Sequence, residues 1–271
     1  LPLTMVTRPL SNGPAIQKDL QTIPATVSVI IPAYQASKTI GRALKSVATQ
    51  TVLPNEVIVI DDGSDDDTFE AAKKMAGAMN GIDFKILHQE HKGAGTARNK
   101  GLNEATSTYV AFLDADDEWL PEKLERSLKE IIRTNSVLVS HNYVLCEMTG
   151  RETTVRKCDK NFRSPGDAYV NLYRKGYIVT SAVVAKLETV LEAGGFDESL
   201  LTAQDFDLWL SMLKHPGTPF HIFPDALLRY HITTGSIATH IERRLACTLQ
   251  IARRFMPALS ERPGIPLFSS L

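Results

Sequence analysis

Three carboxylates directly follow a short apolar run, and they are the residues of this sequence with the clearest potential chemistry. Residues 109–113 have the composition of a buried strand, and Asp114, Asp116 and Asp117 come straight after it. Carboxylates held this close repel one another unless a cation or hydrogen bonds compensate their charge. Divalent Mg²⁺ or Mn²⁺ prefers such oxygen ligands and often also binds substrate phosphates. The segment therefore predicts a divalent-metal site or, as the alternative, an acidic turn that caps the helix starting near Pro121.

Two further polar segments follow apolar runs in the same way. Pro32 and Tyr34 come after residues 27–31, and Asp61 and Asp62 come after residues 56–60. The acidic segment at 61–67 lacks the glycine position of an EF-hand calcium loop, so that kind of site is excluded. Hydrogen bonding to a nucleotide base or ribose is the functional interpretation of Asp62, and a polar turn is the structural one.

A glycine-rich segment at 93–98 nearly matches a dinucleotide-binding fingerprint. It follows a strand-like run and opens a helix, as that motif requires. Arg98, however, occupies the third glycine position, where close packing of helix and strand leaves no room for a side chain. Arg98 is instead suited to offset a diphosphate or the acidic cluster, although a plain structural arginine is equally compatible with the spacing. On the basis of this motif, an NAD-dependent oxidoreductase remains one alternative for the function of the protein.

The elements that position these residues alternate between strands and helices in the first half of the chain. Such alternation predicts an α/β fold with a largely parallel sheet, whose ligands bind beyond the carboxyl ends of the strands. The three polar segments should therefore share one rim. Strands are predicted at 27–31, 56–60, 84–87, 109–113, 137–145 and 180–185, and helices at 68–79, 93–105, 122–133, 167–174, 204–214 and 239–255.

Composition limits the classes of protein that the chain can represent. Its 271 residues are 43% hydrophobic and 23% charged, which is enough for one large globular domain or two small ones. A net charge of -1 gives no electrostatic case for nucleic acid. Three cysteines without metal-type spacing suit a reducing compartment, and we expect no signal peptide and no membrane span. Residues 1–25 are interpreted as a loose arm, and residues 257–271 as a tail.

The last predicted helix is amphipathic, and two interpretations of it stay open. It packs its apolar stripe on the domain itself, or its basic face lies on an anionic membrane where a lipid-linked acceptor resides. The members of the stripe are Ile241, Leu245, Leu249, Ala252 and Met256, and the arginines mostly opposite are Arg243, Arg244, Arg253 and Arg254.

Taken together, the motifs resemble those of family 2 glycosyltransferases, which have the GT-A fold. Each motif is ordinary alone, but six in this order are specific, and they extend over residues 26–238. They are Val27-Ser-Val-Ile-Ile-Pro-Ala-Tyr34, Val57-Ile-Val-Ile-Asp-Asp-Gly-Ser64, Gly93-Ala-Gly-Thr-Ala-Arg-Asn99, Ala111-Phe-Leu-Asp-Ala-Asp-Asp117, Gly195-Phe-Asp-Glu198 with Gln204-Asp-Phe-Asp-Leu-Trp209, and Arg229-Tyr-His231 with Ser236.

The resemblance implies a GT-A domain at 26–238, with a nucleotide-sugar-binding half at 26–117, an acceptor half at 118–238, and a C-terminal helix and tail at 239–271. Carried over by position, the donor-binding residues are Pro32, Tyr34, Asp62, Arg98, Asp114 and Asp116. The implied metal contacts, for Mn²⁺ or Mg²⁺, are Asp116, Asp117 and His231. Asp205 matches the catalytic base of inverting members, although without the family it would be interpreted as a helix cap. Gln204 and Trp209 fall on the acceptor side.

The resemblance further implies transfer of a sugar, with inversion, from a nucleotide-sugar donor to a hydroxyl on a glycan or lipid-linked acceptor. A UDP-sugar is the expected donor, with dTDP or GDP sugars as alternatives. The expected location is cytoplasmic, with peripheral contact at the inner face of the membrane as an alternative. The chain departs from the family at Gln204, where a glutamate is usual, so a role that needs a carboxylate there is in doubt. A catalytically silent nucleotide-sugar-binding protein therefore remains the third interpretation.

Overall fold

The computed structural model describes residues 25–163, 167–176, 178–233, 241–260 and 262, and one mixed sheet runs through them. Most of the predicted arm, Ser236, the start of the last helix and most of the tail lie outside these residues. Within the described ranges the sheet has nine strands: β1 (Val27–Ala33), β2 (Glu56–Asp62), β3 (Asp83–Gln89), β4 (Tyr109–Phe112), β5 (Glu118–Trp119), β6 (Leu138–Cys146), β7 (Glu152–Val155), β8 (Val184–Lys186) and β9 (Phe220–His231). Their order is β3-β2-β1-β4-β8-β6-β9-β5, and β7 pairs with β6.

The first half of the chain forms the parallel part of the sheet, as predicted. Strands β3, β2, β1 and β4 pair in parallel, and every residue of β1 and β2 is buried. Strands covered by helices on both faces are apolar along their whole length, which explains why they were recognisable from sequence. Helices α1 (Ile40–Ala48), α2 (Thr68–Lys74) and α3 (Ala94–Glu104) connect them. The predicted helix at 68–79 ends at Lys74 and is followed by a separate 3₁₀ turn at 76–78.

The second half adds antiparallel strands and differs from the prediction in several places. Strand β8 is antiparallel to both β4 and β6, and β9 pairs with β6 in parallel and with β5 in antiparallel orientation. The strand predicted at 180–185 is confirmed only at its end, because residues 180–182 form a 3₁₀ turn and only 184–186 join the sheet. Strands β5, β7 and β9 were not predicted. The helices of this half are α4 (Lys123–Thr134), α5 (Lys157–Arg163), α6 (Ala168–Lys175), α7 (Leu187–Glu192), α8 (Gln204–Met212), α9 (Ile241–Phe255) and α10 (Pro257–Ser260).

Two apolar cores cover the two faces of the sheet. Side chains alternate along a strand, so Ile30 of β1 belongs to one core while Val29 and Ile31 belong to the other. The Ile30 core is closed mainly by α3, α6, α8 and α9, and the second core by α1 and α4. This arrangement is a mixed α/β fold with helices on both sides of a mostly parallel sheet, as predicted.

Helix α9 is present, but the stripe predicted to pack on the domain is not the one that does so. The residues that enter the core are Cys247, Ile251 and Phe255. Three members of the predicted stripe are instead half or more exposed: Leu245 at 58%, Leu249 at 50% and Met256 at 58%. The helix therefore carries two apolar faces, and the sequence pattern alone selected the wrong one. Within the described ranges, no helix is long and apolar enough to span a membrane.

Candidate active site

The predicted rim exists, because β1, β2 and β4 run in parallel and end on the same side of the sheet. Ala33 at the end of β1 pairs with Asp61 at the end of β2. Asp114 follows β4 by two residues. The polar segments after these three strands therefore lie along a common edge, where ligands bind in open α/β sheets.

Asp62 is buried and holds the loop that leads into α3. Its carboxylate accepts hydrogen bonds from the backbone N–H groups of Lys92 (2.9 Å) and Gly93 (2.8 Å) and from Gln89 Nε2 (2.7 Å). His91 Nδ1 lies 2.9 Å from the same carboxylate. These contacts assign a loop-holding role to Asp62, and its contact with a base or ribose stays a prediction.

Tyr34 and His91 form an aromatic pair beside Asp62. Their rings are stacked, with centroids 3.9 Å apart and planes 23° apart, and Tyr34 is 48% exposed. An exposed flat ring of this kind is suited to stacking on a planar base. Pro32, by contrast, is buried within β1 and presents no such surface.

The acidic cluster after β4 is stabilised by specific hydrogen bonds. Asp117 is 1% exposed, and its two oxygens accept from Ser181 Oγ (2.6 Å) and from the backbone N–H of His231 (3.1 Å). Burial, followed by repulsion from Asp114 and Asp116, raises the pKa of Asp117 well above its usual range. Burial and Asp114 likewise raise the pKa of Asp116, whose carboxylate accepts a hydrogen bond from Thr233 Oγ1 (3.1 Å). The cluster thus carries more negative charge than its surroundings favour.

Arg98 supplies a positive charge to this cluster. Its Nη2 lies 2.6 Å from Asp114 Oδ1, its side chain is 8% exposed, and the guanidinium lies 5.2 Å from the centroid of the Phe196 ring. This contact confirms that Arg98 offsets the acidic residues. The dinucleotide alternative loses its basis as well, because an arginine occupies the third glycine position and Asp62 already accepts hydrogen bonds from the N–H groups of Lys92 and Gly93.

Asp205 lies in the first turn of α8, where two hydrogen bonds fix its carboxylate. Oδ2 accepts from Thr180 Oγ1 (2.7 Å), and Oδ1 accepts from the backbone N–H of Phe206 (2.8 Å). The residue that caps α8 is Ala203, so Asp205 is not the N-cap. Gln204 is buried, and its amide donates to the carbonyl of Leu200 (2.7 Å). Gln204 therefore retains a hydrogen-bonding role that needs no carboxylate.

A cleft of about 380 Å³ brings Arg98, Asp114, Gln204 and Asp205 together. Its other walls come from the start of α3, the end of α6, the turn at 180–182, the start of α8 with the residues before it, β9 and α9. These residues are Ala94, Tyr173, Arg174, Lys175, Gly176, Thr180, Thr202, Ala203, Phe206, Tyr230, Arg244 and Thr248. A larger cavity of about 620 Å³ lies between α7, α8 and α9 and is lined by none of the predicted site residues. The residues that line the two cavities therefore favour the smaller cleft as the active site.

Trp209 does not contribute to this cleft, and its placement on the acceptor side is corrected. The indole is fully buried, with ring centroids 6.0 Å from Phe112 and 6.3 Å from Phe196. Trp209 follows Asp205 by one helical turn and so lies on nearly the same side of α8, but at that turn the helix packs on Phe112 of β4 and on Phe196.

Comparison with known proteins identifies the family. The sequence model of the family described as Glycosyl transferase family 2 matches residues 28–184, more than half of the chain. The amylovoran biosynthesis glycosyltransferase AmsB of Erwinia amylovora is 31% identical over 243 residues, which are 87% of this chain and 79% of AmsB. The chain belongs to glycosyl transferase family 2.

Other similar proteins agree with this assignment to a glycosyltransferase family. The Escherichia coli UDP-Glc:alpha-D-GlcNAc-diphosphoundecaprenol beta-1,3-glucosyltransferase WfgD is 32% identical over 189 residues, which are 69% of this chain and 70% of WfgD. Among solved structures, S. aureus TarS in complex with UDP-GlcNAc aligns with a TM-score of 0.66 over 91% of this chain and 76% of that structure, at 23% identity. The latter similarity concerns the fold, and it supports the GT-A assignment. The family 2 protein described here is thus a glycosyltransferase.

A divalent metal is implied for this glycosyltransferase, and the acidic cluster fits one only in part. Within the described residues, no group of three or more His, Cys, Asp or Glu side chains is arranged as a ready metal site. Asp117 is 1% exposed and both of its oxygens accept hydrogen bonds, so it suits a water-mediated contact better than direct ligation. Asp114 and Asp116 fit better, because their repulsion favours a nearby cation. His231 Nε2 is buried without a hydrogen-bond partner, 3.7 Å from Glu118 Oε2, and is a second candidate donor atom.

Sequence reasoning missed three residues that hold this site. Thr180 and Ser181 bind Asp205 and Asp117, and the guanidinium of Arg42 donates to the backbone carbonyl of Asp116 (2.5 Å). The Ser181 hydroxyl also accepts the backbone N–H of Asp114 (3.0 Å). A single hydroxyl residue in a turn belongs to no periodic sequence pattern, so Thr180 and Ser181 could not be recognised in that way. Only their position in a predicted strand indicated that they could lie near the rim.

Proposed function

We propose that this glycosyltransferase moves a sugar from a nucleotide-sugar donor to a hydroxyl acceptor with inversion, and that Asp205 is the catalytic base. The observation that carries the proposal is that Asp205 lines the same cleft as Arg98 and Asp114. A base on one wall and an acidic cluster paired with Arg98 on another provide the two functions that a direct displacement needs.

The proposed donor is a UDP-sugar, and a GDP-sugar is the alternative. The supporting observations are the Tyr34–His91 pair, which offers a stacking surface, and the donors named for similar proteins. TarS was solved with UDP-GlcNAc, WfgD is named as using UDP-Glc, and the mannosyltransferase PcManGT from Pyrobaculum calidifontis was solved with GDP-Man and Mn²⁺. In our proposal the base of the nucleotide stacks on the Tyr34 ring, and Asp62 orders the loop that carries His91.

The residues around Asp114 act on the leaving diphosphate. As the bond between the anomeric carbon and the diphosphate oxygen breaks, negative charge grows on that oxygen. Arg98 is buried at the wall of the cleft and offsets this charge without first being desolvated. A divalent metal, held by Asp114 and Asp116 with His231 and a water-mediated contact from Asp117, would neutralise further charge on the diphosphate.

Asp205 acts on the acceptor. A sugar hydroxyl is a weak nucleophile, so its proton passes to Asp205 as its oxygen attacks the anomeric carbon from the face opposite the leaving group. Attack from that face inverts the configuration of the carbon. The hydrogen bonds from Thr180 and Phe206 keep the carboxylate oriented during this step.

The proposed acceptor is a glycan or a lipid-linked sugar, bound by the 118–238 half of the domain. The supporting observation is that WfgD, whose name specifies a diphosphoundecaprenol-linked acceptor, is 32% identical to this chain. Action on such a lipid would take place in the cytoplasm or at the inner face of the membrane, in a pathway of polysaccharide biosynthesis.

Thermal-shift measurements with a panel of ligands test the donor. UDP, GDP, dTDP and NAD are each added with and without Mn²⁺. We expect UDP with Mn²⁺ to raise the melting temperature most, because binding to the folded state stabilises it by mass action. Stabilisation by NAD, with no effect of any nucleoside diphosphate, would overturn the proposal.

Replacement of the proposed base tests the mechanism. Asp205→Asn should lower turnover by roughly 10²- to 10⁴-fold, the usual contribution of a general base, with donor affinity little changed. Asp83→Asn is the control, because the Asp83 side chain is 62% exposed at the start of β3 and does not line the cleft. Equal turnover by the wild type and Asp205→Asn would exclude Asp205 as the base.

A further inference from the structure

Helix α9 has a second apolar face that the fold does not use. Cys247, Ile251 and Phe255, spaced four residues apart, fill the core. Leu245, Leu249 and Met256 lie together on another side of the helix and are exposed by half or more. We call these three residues the outer stripe. A soluble helix normally buries one apolar face and presents polar residues elsewhere, so the outer stripe needs a different explanation.

The charges on α9 indicate the kind of surface that the outer stripe fits. The helix contains four arginines and one glutamate. Arg254 forms ion pairs with Asp197 and Asp207. Arg244 and Arg253 are exposed, and no ion pair within the described ranges engages either of them. An apolar stripe flanked by exposed arginines is complementary to a lipid surface with anionic headgroups.

The outer stripe also lies beside the mouth of the active-site cleft. Arg244 and Thr248 of α9 line that cleft together with Asp114 and Asp205. Arg174 and Lys175, at the end of α6, add positive charge to the same rim. A surface in contact with the outer stripe would therefore lie close to the place where an acceptor enters.

We infer that the outer stripe of α9 docks this protein on an anionic lipid bilayer. Leu245, Leu249 and Met256 enter the boundary between headgroups and acyl chains, while Arg244 and Arg253 contact the phosphates. The link to catalysis rests on the proposed function, because docking would present a lipid-held acceptor to Asp205. Docking itself involves neither donor nor acceptor, so it is measured separately from transfer.

Vesicle flotation tests the docking. The full chain is mixed with phosphatidylcholine vesicles, with or without phosphatidylglycerol, at low and high salt. We expect binding to the anionic vesicles alone and weaker binding at high salt, because the arginines act through screened electrostatics. Absence of binding to the anionic vesicles at low salt would overturn the inference.

Variants of the outer stripe make the test specific. Leu245→Ser with Leu249→Ser should reduce the bound fraction by roughly tenfold with an unchanged melting temperature, since both side chains are exposed. Leu201→Ser is the matched control, because Leu201 is 65% exposed but lies outside α9, and it should bind as the wild type does. Equal binding of the stripe variant and the wild type would contradict the inference.

Two other occupants of the outer stripe give different results in the same experiment. If a second copy of the chain covers the stripe, the wild type is a dimer in light scattering, the stripe variant is a monomer, and neither floats with vesicles. If the chain's own residues 263–271 cover it, flotation appears only after these residues are removed. Either result would overturn docking by the intact protein.

Discussion

Two adjacent hydroxyl residues, Thr180 and Ser181, link the two halves of the proposed active site. Thr180 donates to Asp205, and Ser181 both donates to Asp117 and accepts from the backbone of Asp114. Hydrogen bonds to charged groups are stronger than neutral ones, and they restrict a carboxylate to one orientation. One short turn thus sets the distance between the proposed base and the donor-side cluster.

Removal of the Thr180 hydroxyl should therefore affect turnover more than binding. We expect Thr180→Val to lower kcat roughly tenfold, in line with the loss of one charge-assisted hydrogen bond worth about 1.5 kcal/mol, while KM for the donor changes little. Steady-state kinetics measure both constants. Thr134→Val is the control, because that hydroxyl bonds the carbonyl of Glu130 within α4, away from the cleft. A rise in KM with unchanged kcat would assign Thr180 to binding instead.

His141 should make the stability of this protein depend on pH. Its ring is fully buried, its Nδ1–H donates to the carbonyl of Asn142 (2.7 Å), and burial, aided by the charge of Lys123, lowers its pKa to about 3. The unfolded chain takes up this proton near pH 6.5, whereas the folded chain does not. Stability present above pH 6.5 is therefore lost as the pH falls towards 3, by about 2 kcal/mol at pH 5.

The variant His141→Gln separates this effect from the other titrating groups. Between pH 7.5 and pH 5, its free energy of unfolding should fall by about 2 kcal/mol less than that of the wild type, as measured by urea denaturation. His215→Gln, which replaces an exposed histidine, is measured beside it as the control. The same pH dependence in all three proteins would refute this role of His141.

At the scale of elements, the close packing of α3 on the sheet determines the position of Arg98. Gly101 lies on the face of α3 that approaches β1 and β2. A Cβ atom there would come within 2.6 Å of Ile30 Cγ2 and 2.8 Å of Ile60 Cδ1, and both isoleucines are fully buried. The helix is therefore close to the sheet because this position has no side chain.

Gly101→Ala should accordingly destabilise the protein, although alanine favours helices. Overpacking costs about 1–3 kcal/mol and outweighs the helix-propensity gain of about 1 kcal/mol. Gly41→Ala in α1 is the opposite control, because no described atom beyond its chain neighbours and the backbone of its own helix lies within 4 Å of the added carbon, and it should be neutral or stabilising. Urea denaturation compares the two variants. A stable Gly101→Ala protein would mean that α3 has room to move away from the sheet.

The elements of the first half were predictable because each follows from a local pattern. Strands β1 and β2 are buried on both faces, so they appear as unbroken apolar runs that end in Pro32 or Asp61. The rim with Asp62 and Asp114 then follows from the topology of parallel strands.

The second half was less predictable because its strands depend on distant partners. Strand β9 pairs with β6 on one side and β5 on the other, and it contains Pro224 at an irregular point of its pairing, so its burial has no period. Helix α9 has two apolar faces with helical spacing, so its sequence does not show which face is buried. Packing against the rest of the domain buries Ile251 and leaves Leu249 exposed. The turn at 180–182 has no local pattern at all.

At the scale of the whole molecule, α9 is joined to the active-site helix by one arginine. Arg254 Nη1 lies 2.7 Å from Asp207 on α8, and Nη2 lies 2.7 Å from Asp197. Asp207 is largely buried, and burial raises its pKa, whereas Arg254 lowers it. This bridge holds α9 against the helix that carries Asp205, and so connects the outer stripe to the cleft.

Loss of the bridge should destabilise the protein by more than an ordinary surface mutation does. We expect Arg254→Met to cost about 2 kcal/mol, because it leaves the buried Asp207 without its partner, although partial exposure of Arg254 reduces the effect. Arg253→Met is the matched control, since no ion pair within the described residues engages Arg253, and it should cost less than about 0.5 kcal/mol. Addition of Asp207→Asn to Arg254→Met should recover part of the loss, because the unpaired charge is removed with it. If the double variant is as unstable as the sum of both single changes, the two residues are independent, and α9 is held by its apolar face alone.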